Sequence, residues 1–401
     1  MSKTPNIRFN GFSDNWKEKQ LSEIFVIKNN KNKNQYSREG VLSVSDYEGC
    51  VNQIKFHGRS FAGKDISNYK IADIGDIIYT KSPLQSKPYG IVKIVTEEAG
   101  IVSPLYVVNA PTKENDSLFM YYLFDSPERT NKYLEPLVRK GAKNTMNISD
   151  AEWLSGNVVV SENLEEQQKI GLLFKKIDDL INVETSKIDE LSKIKQALLL
   201  KMFPANNEDV PSIRFKDFTN DWEQRELSEC SEITTGGTPN TQVEKYWNPK
   251  EIPWMSSGEI HKKYILFTDN MISKEGLNNS SARYVPEKSV LMAIAGQGKT
   301  RATVAINLIP ITTNQSVAAI ILNNTMIPEF ILYNLESRYE ELRQISAGDG
   351  SRGGLNKHLV SEIIAPYTKK EEQNKIGLLF NTLDNLITLH QRKPFHLNFS
   401  L

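Results

Sequence analysis

Residues 165–181 read EEQQKIGLLFKKIDDLI, and residues 371–387 read EEQNKIGLLFNTLDNLI, an offset of 206 positions (371 minus 165). A second pair of segments repeats at the same offset, because PNIRFNGFSDNWKEKQLSE at 5–23 returns as PSIRFKDFTNDWEQRELSE at 211–229. Two separate matches at one offset indicate an internal duplication, and such a repeat usually corresponds to a repeated structural unit. We therefore expect two copies of one domain, each followed by a long helix.

The segments between the matched stretches, residues 25–160 and 231–366, have the same length and share almost no identity. Similar ends around divergent middles predict a common scaffold that carries two different surfaces. A simpler interpretation also remains open, in which the duplication only enlarges the protein.

The repeated EEQ stretch has the spacing of an amphipathic helix, with apolar residues at intervals of three, four or seven positions and charged residues between them. The first helix is expected to run from about Glu162 to Met202, before Pro204. The carboxylate pairs Glu165-Glu166 and Asp178-Asp179 are expected on its solvated face. The apolar stripe comprises Ile170, Phe174, Ile177, Ile181, Ile188, Leu191, Ile194 and Leu198 in the first copy, and Ile376, Phe380, Leu383 and Ile387 in the second.

An apolar stripe of this length must be covered, and the matching stripe of the other copy is the nearest suitable surface. Antiparallel pairing of the two helices would place the two domains at opposite ends, related by a pseudo-twofold axis. The alternative is that each stripe docks on its own domain. In the second copy Pro394 is expected to end the helix near Lys393, about three turns short of the first helix.

Composition bounds the function only loosely. Lys+Arg and Asp+Glu number 49 each, so any electrostatic case for nucleic-acid binding must rest on local patches. Cys50 and Cys230 lack a C-x-x-C partner and the five His lack metal-ligand spacing, so we expect no zinc site, redox motif or disulfide framework. Without a signal-peptide pattern or a run of about eighteen apolar residues, a cytoplasmic protein is expected.

Each variable segment contains a hairpin-like pattern of β-branched residues around a polar loop. The first hairpin joins residues 75–81 to 91–95, and the second joins 289–294 to 303–306. Amide, hydroxyl and basic side chains in such loops suit phosphates and base edges, although they equally suit solvated turns. The candidate DNA contacts are Lys81, Gln85, Ser86, Lys87 and Tyr89 in the first loop, and Gln297, Lys299, Thr300 and Arg301 in the second.

A glycine-containing basic stretch precedes the long helix in both copies, RKGAKN at 139–144 and GDGSRGG at 348–354. Glycine lets backbone amides approach a ligand, and basic side chains suit phosphates. This pattern adds Arg139, Lys140, Lys143 and Asn144 in the first copy and Arg352 in the second.

Residues 293–300, AIAGQGKT, fit a loose form of the nucleotide-binding P-loop. A P-loop leads into a helix whose N-terminus holds phosphates, whereas RATVAINLIP follows here, β-branched and ending at Pro310. Ala293 also occupies the position of the first glycine. The pattern therefore favours a strand over nucleotide binding, and the sequence contains no G-x-S-x-G or H-E-x-x-H motif.

The sequence resembles the specificity subunits of type I restriction–modification enzymes over essentially its whole length. The resemblance rests on the duplicated layout, the EEQxKIGLLF helix starts, GGTP at 236–239, YW at 246–247 with IPW at 252–254, and TNQ at 313–315. It implies that each variable segment is a target recognition domain reading one half of a bipartite DNA site, and that the paired helices hold the halves apart. The candidate contacts then also include Ser256, Ser257, Asn314 and Gln315.

The resemblance further implies partners. Two modification subunits, similar to adenine methyltransferases that bind S-adenosylmethionine, would dock on the helices, and restriction subunits that use ATP and Mg²⁺ would join them. This chain would bind double-stranded DNA without a cofactor, a metal or catalysis of its own. Because the variable segments differ, the two half-sites should differ. A non-DNA interaction scaffold is the alternative.

These inferences predict a mixed α+β fold with a pseudo-twofold internal duplication and two long helices in an antiparallel coiled coil. The expected target recognition domains are residues 1–160 and 213–366. A central helix is expected at 161–204, a linker at 205–212 and a C-terminal helix at 367–401.

Overall fold

A computed structural model describes residues 5–140, 146–205, 208–296, 299–345 and 354–395. The chain forms two compact units, which divide between Val183 and Glu184. Among the described residues, we call those up to Val183 unit 1 and those from Glu184 to Phe395 unit 2. Within the described ranges, no helix combines the length and apolarity that crossing a membrane requires.

Unit 1 is built from short strands around a four-stranded antiparallel sheet in the order β2-β9-β6-β7. The described residues of unit 1 also form the two-stranded pairs β1-β12, β3-β4, β5-β8 and β10-β11. The strands are β1 Lys17–Gln20, β2 Phe25–Ile27, β3 Leu42–Ser45, β4 Gly49–Asn52, β5 Lys70–Ala72, β6 Ile77–Tyr79, β7 Val92–Ile94, β8 Gly100–Val102, β9 Val107–Pro111, β10 Arg139–Lys140, β11 Met146–Asn147 and β12 Asn157–Val160.

In the described part of unit 1, the helices that accompany these strands are α1 Leu21–Ile24, α2 Gln53–His57, α3 Ser117–Asp125, α4 Pro127–Leu134, α5 Asp150–Ser155 and the start of the long helix α6 Leu164–Lys201. The main core lies between the four-stranded sheet and the helices. Trp153 is fully buried at its centre, where it stacks on Tyr79 with ring centroids 4.5 Å apart. Its indole N–H donates to the buried Asn109 at 2.8 Å.

Unit 2 contains two larger sheets, ordered β14-β22-β19-β20-β16 and β17-β15-β21-β18, and the pair β13-β23. Its strands are β13 Glu223–Glu226, β14 Ser231–Thr235, β15 Ile252–Met255, β16 Tyr264–Ile265, β17 Asn270–Ile272, β18 Tyr284–Val285, β19 Val290–Ala293, β20 Val304–Asn307, β21 Ile311–Thr313, β22 Val317–Leu322 and β23 Ile364–Tyr367. Its helices are α7 Leu227–Cys230, α8 Lys274–Asn278, α9 Pro328–Ser337, α10 Tyr339–Gln344, α11 Lys357–Ser361 and α12 Lys370–Phe395.

The duplication is visible in both units. β1 pairs with β12 and β13 pairs with β23, both antiparallel, and α6 or α12 follows directly. The strand orders β2-β9-β6-β7 and β14-β22-β19-β20 are equivalent, so both predicted hairpins, β6-β7 and β19-β20, occupy the same place. The mixed α+β class is confirmed, and so are the two long helices.

One glycine in each EEQ repeat lets the long helix approach the preceding domain closely. A Cβ on Gly171 would lie 2.7 Å from the backbone N of Phe119 at the start of α3. A Cβ on Gly377 would lie 2.9 Å from the Cβ of Glu329 at the start of α9. A larger residue at either position would therefore push the long helix away from its own domain.

The apolar stripe is used in two ways. Ile170 and Phe174 of α6 pack into the core of unit 1, so this part of the stripe docks on its own domain. In unit 2, the α6 residues Leu191 and Leu198 share one core with Ile376, Phe380 and Leu383 of α12.

The two helices run antiparallel in unit 2. Lys195 pairs with Asp384 at 2.7 Å, and Glu184, earlier in α6, contacts His390, later in α12. Ile177, Ile181, Ile188 and Ile387 are half-buried.

Three details of the helices differ from expectation. Ile194, expected in the apolar stripe, is 42% exposed. Leu199, which was not expected there, faces the core of unit 2 and is buried. Glu166 is fully buried and Asp178 is half-buried, so the prediction of a solvated face was wrong for these two carboxylates. The helix α12 continues through Pro394 to Phe395, since a proline in the last turn removes few backbone hydrogen bonds.

The buried glutamate of each repeat ties the N-terminal motif to the long helix. Glu166 accepts two hydrogen bonds from the Arg8 guanidinium, one from the Trp16 indole at 3.3 Å and one from Ser161 at 2.5 Å. In unit 2, Glu372 accepts the equivalent bonds from Arg214, Trp222 and Thr368. The repeated Arg, Trp and Glu of the two sequence matches therefore form one structural unit in each copy.

Candidate nucleic-acid interface

The predicted loop of unit 1 spans residues 81–90 and connects β6 to β7. Lys81 and Gly90 at its two ends both have positive φ, 55° and 105°. A Cβ on Gly90 would lie 3.1 Å from the Lys81 backbone N, so only glycine allows the two ends to close. Gln85 and Ser86 at the tip are exposed, while Tyr89 is half-buried and its carbonyl accepts the Tyr79 hydroxyl at 2.7 Å.

A groove of unit 1 brings two of the predicted contacts together. Lys81 from the 81–90 loop and Arg139 from β10 both line it. The Arg139 side chain is 83% exposed and lies 3.3 Å from Glu152, while Lys81 donates to Asp150 at 3.2 Å. Two cations at the rim of one groove, each held by an acidic residue of α5, can exchange that partner for a phosphate oxygen.

Lys70 lies beside Lys81, 3.8 Å from Asp150. Burial lowers its pKa, and the neighbouring Lys81 lowers it further, whereas Asp150 acts in the opposite direction. An anion entering the groove would therefore relieve repulsion between two lysines.

Lys87 does not have the predicted surface role. Its side chain is 7% exposed and its ammonium lies 2.6 Å from Asp46 and 3.9 Å from Asp125. Lys87 therefore pairs with carboxylates in the interior of unit 1, which corrects our expectation of a DNA contact.

Sequence reasoning missed two exposed apolar side chains beside the same loop. Tyr47, at the turn between β3 and β4, is 97% exposed and lines a pocket together with Ser82 and Leu84. Leu105 is 75% exposed and lines the groove that holds Lys81 and Arg139. Isolated turn residues such as these carry no periodic signal, so only the fold shows that they share a surface with the loop.

In unit 2, two parallel strands bring predicted contacts to one edge. β15 pairs in parallel with β21, with Met255 opposite Thr313. Ser256 and Ser257 follow β15, and Asn314 and Gln315 follow β21, so all four lie at the same edge. The Asn314 backbone N–H donates to the Met255 carbonyl at 2.9 Å, which fixes the two strand ends together.

The GGTP motif closes over this edge. A Cβ on Gly236 would lie 1.9 Å from the Thr313 carbonyl oxygen, and one on Gly237 would lie 2.0 Å from the Ser281 hydroxyl. These glycines therefore allow the backbone to pack directly on the TNQ turn. Thr238 then donates to the Gln315 side chain at 2.7 Å in an exposed position. Thr238 was not among the predicted contacts, although its motif was noted.

The remaining polar positions of this edge are only partly engaged. Ser256 caps a short 3-10 helix through Glu259, and the Asn314 side chain accepts from the Ser316 amide at 3.1 Å. Gln315 is exposed, and its side-chain oxygen accepts the Thr238 hydroxyl. An amide with a donor and an acceptor in one plane can recognise an adenine edge.

The 294–303 segment connects two strands of a hairpin. β20 pairs antiparallel with β19, so a strand stands where a P-loop would need a helix, and the nucleotide-binding alternative loses its structural basis. Ile294 donates to the Ser316 carbonyl at 2.9 Å, which places the segment beside the TNQ turn. Lys299 is exposed and Thr300 half-buried, and Arg301 donates to the Arg343 carbonyl at 2.8 Å.

Several predicted contacts cannot be placed. Lys143, Asn144, Gln297 and Arg352 lie outside the described residues, and for Lys140 only its place in β10 is described. Among the described residues, no group of three or more His, Cys, Asp or Glu side chains gathers at distances suited to a metal ion.

Residues 219–398 match the family model described as the type I restriction modification DNA specificity domain. The chain is 29% identical over 175 residues to the type I restriction enzyme MjaIX specificity subunit of Methanocaldococcus jannaschii, covering 42% of this chain and 39% of that protein. It is 22% identical over 405 residues to the putative MjaX specificity subunit of the same organism, covering 95% of this chain and 89% of that protein.

The fold is also similar to that of a solved structure, the type I restriction-modification system S subunit from M. genitalium. That chain is 16% identical, the alignment covers 98% of this chain and 96% of that one, and the TM-score is 0.62. The fold is therefore shared with a protein of little sequence identity.

Proposed function

We propose that this chain, a relative of the type I restriction–modification specificity subunits, is the sequence-specific DNA-reading subunit of such a complex. Each unit would read one half of a bipartite target through its loop cluster. In unit 1 this cluster comprises the 81–90 loop, the β10 strand and the Tyr47 turn. In unit 2 it comprises the GGTP motif, the TNQ turn and the serines after β15.

One observation carries the proposal: the two units of a repeated scaffold present chemically different side chains on their loops. Unit 1 offers the cations Lys81 and Arg139 at the rim of a groove. Unit 2 offers the neutral pair Thr238 and Gln315 at an exposed edge. Cations suit phosphate and guanine edges, whereas a glutamine amide suits adenine, so the two half-sites should differ.

The partners follow from the same assignment. Two modification subunits would dock on α6 and α12 and their flanks, and restriction subunits would complete the complex. S-adenosylmethionine, ATP and Mg²⁺ would be bound by those partners, and this chain would contribute no catalytic group. The two long helices would set the spacer between the half-sites.

Methylome sequencing tests the proposal. A host carrying this chain with its modification partner should methylate one bipartite, asymmetric motif. Exchange of residues 231–366 for the equivalent segment of a relative should change one half of that motif and leave the other half and the spacer unchanged. A change in both halves would refute the modular reading.

A point substitution gives a sharper version of the test. Gln315→Ala should reduce discrimination at one base pair by about 1–3 kcal/mol, or roughly 5- to 150-fold, because the amide pattern is lost. Gln224→Ala, which removes the same exposed amide from β13, is the matched control. If the ratio of matched-site to mismatched-site methylation is the same for the wild-type and Gln315→Ala complexes, Gln315 is not part of the interface.

A further inference from the structure

Unit 1 has an apolar groove between its N-terminal segment and α6. Ile7, Phe9 and Trp16 line one side, and Leu173, Phe174 and Ile177 of α6 line the other. Ile7 is 59% exposed and Leu173 is 43% exposed. These residues belong to the two segments that recur in unit 2, so the repeat shows how the same groove looks when it is filled.

The aromatic side chains next to the two grooves pack in equivalent pairs. In each unit a tryptophan packs edge-on against a phenylalanine of the domain helix, and a tyrosine of that helix packs against a phenylalanine of the long helix. The aromatic packing next to the two grooves is therefore equivalent. The ring centroids are 5.5 and 5.3 Å apart in Trp16–Phe119 and Tyr122–Phe174, and 5.6 and 5.1 Å apart in Trp222–Phe330 and Tyr333–Phe380.

In unit 2 the end of α6 fills the groove. Leu199, Met202 and Phe203 are buried in the same core as α12. The Phe203 ring stacks on Phe380 with centroids 6.1 Å apart and lies 5.4 Å from that of Phe330. These contacts leave Phe380 with no exposed surface. Its counterpart in unit 1, Phe174, remains half-buried, and among the described residues no ring of unit 1 takes the place of Phe203.

The charges beside the two grooves differ in the same way. In unit 2, Asp384 accepts the Tyr333 hydroxyl and pairs with Lys195 of the filling segment, both at 2.7 Å. In unit 1, Asp178 accepts the Tyr122 hydroxyl, also at 2.7 Å, but the described residues give it no ion pair.

Burial opposes ionisation of both carboxylates. Lysines 195 and 263 nevertheless hold the pKa of Asp384 low, whereas burial and the neighbouring Asp125 raise that of Asp178. Because Asp178 is the counterpart of Asp384 in the repeat, and Asp384 pairs with Lys195, Asp178 is placed to accept a lysine from a helix above the groove.

We propose that this groove of unit 1 docks a helix end of a partner polypeptide carrying the K-x3-L-x2-M-F pattern of residues 195–203. The partner's Met-Phe pair would fill the place that Met202 and Phe203 occupy in unit 2, and its lysine would reach Asp178. The proposal concerns assembly and does not depend on DNA reading.

Binding of a labelled peptide with the sequence of residues 186–205 to the full chain tests this inference. Fluorescence anisotropy should show saturable binding of one peptide per chain, because the groove of unit 2 is already filled. Replacing the phenylalanine in the peptide by alanine should weaken binding about tenfold or more, since it removes the central aromatic anchor. Replacing the peptide lysine that corresponds to Lys195 by glutamate should also weaken peptide binding.

Leu173→Asp in the chain should abolish peptide binding, whereas Leu172→Asp, a similarly exposed leucine beside it that does not line the groove, should leave it unchanged. If Leu173→Asp does not fold, Ile7→Asp tests the opposite wall. Absence of saturable binding, or binding that survives both groove substitutions, would overturn the proposal. Sedimentation showing a dimer of the chain that Leu173→Asp dissociates would also overturn it, because a second copy would then occupy the groove.

Discussion

Glu372→Gln should destabilise unit 2 strongly, although it changes only a carboxylate to an amide of the same size. The Glu372 carboxylate has no exposed surface and accepts four hydrogen bonds. Two of them, at 2.6 and 2.9 Å, come from the Arg214 guanidinium, whose side chain is only 12% exposed. The substitution leaves that guanidinium charged and without its counter-ion, and places an amide N–H₂ opposite the Arg214 N–H groups, which can only donate.

The magnitude follows from this geometry. Breaking one partner of a buried ion pair costs about 3–5 kcal/mol, and the residual exposure of Arg214 places the loss near the lower end. A loss of about 3 kcal/mol reduces the folding equilibrium constant of unit 2 roughly a hundredfold. Glu371→Gln is the matched control, since Glu371 is exposed on the same helix turn.

Urea unfolding followed by tryptophan fluorescence measures the effect, because Trp222 lies in the cluster and donates to Glu372 at 3.1 Å. The unfolding free energy of Glu372→Gln should fall while that of Glu371→Gln stays near wild type. A double variant with Arg214→Met should recover part of the loss, since no unpaired charge then remains. A loss below about 1 kcal/mol, equal to the control, would refute the reasoning that this cluster holds the repeat together.

Four further predictions concern stability, spacing and binding. Burial opposes ionisation of Glu166, but Arg8 and other donors keep its pKa below the usual value. The stabilising contribution of Glu166 should therefore be complete above about pH 4.3 and be lost as pH falls below that value. Urea midpoints measured from pH 7 to 3 should drop less in Glu166→Gln than in wild type. Gly236→Ala should displace the TNQ turn, because its Cβ would meet the Thr313 carbonyl, and methylome sequencing should show one degraded half-site. Inserting about two turns into the 182–201 part of α6 should lengthen the spacer of the methylated motif alone, and an unchanged spacer would remove the ruler role. Arg139→Ala should weaken DNA binding for all sequences and lower the slope of log K against log salt by about one, and an unaltered slope would exclude a phosphate contact.

The sequence was sufficient for the features that recur at a constant offset. Two matched segments predicted a duplicated scaffold with long amphipathic helices, because helical periodicity and repetition are both local properties of the chain. β-branched runs around polar loops predicted the β6-β7 and β19-β20 hairpins, since the two strands are neighbours in sequence. The strand that follows Thr303 was expected for the same reason, and it removed the P-loop interpretation.

Burial of polar residues needed the tertiary structure. Glu166 and Glu372 sit in a helix start of charged appearance, and nothing in their spacing distinguishes them from the exposed Glu165 and Glu371. They are buried because an arginine and a tryptophan some 150 residues earlier reach them. Lys87 is likewise indistinguishable from its loop neighbours in sequence, and only the fold brings Asp46 beside it.

In the candidate interface as well, single residues could be predicted from sequence, whereas their contacts depend on the tertiary structure. Lys81 and Arg139 were each predicted from local composition, but only the packing of β10 beside the 81–90 loop places them in one groove. Thr238 joined Gln315 because two parallel strands and two glycines bring distant segments within hydrogen-bond distance. Sequence by itself determined the duplication, the helices and the hairpins, which depend on near neighbours. Tertiary structure alone decided which charges are buried and which loops meet, because those contacts join residues that chain spacing does not relate.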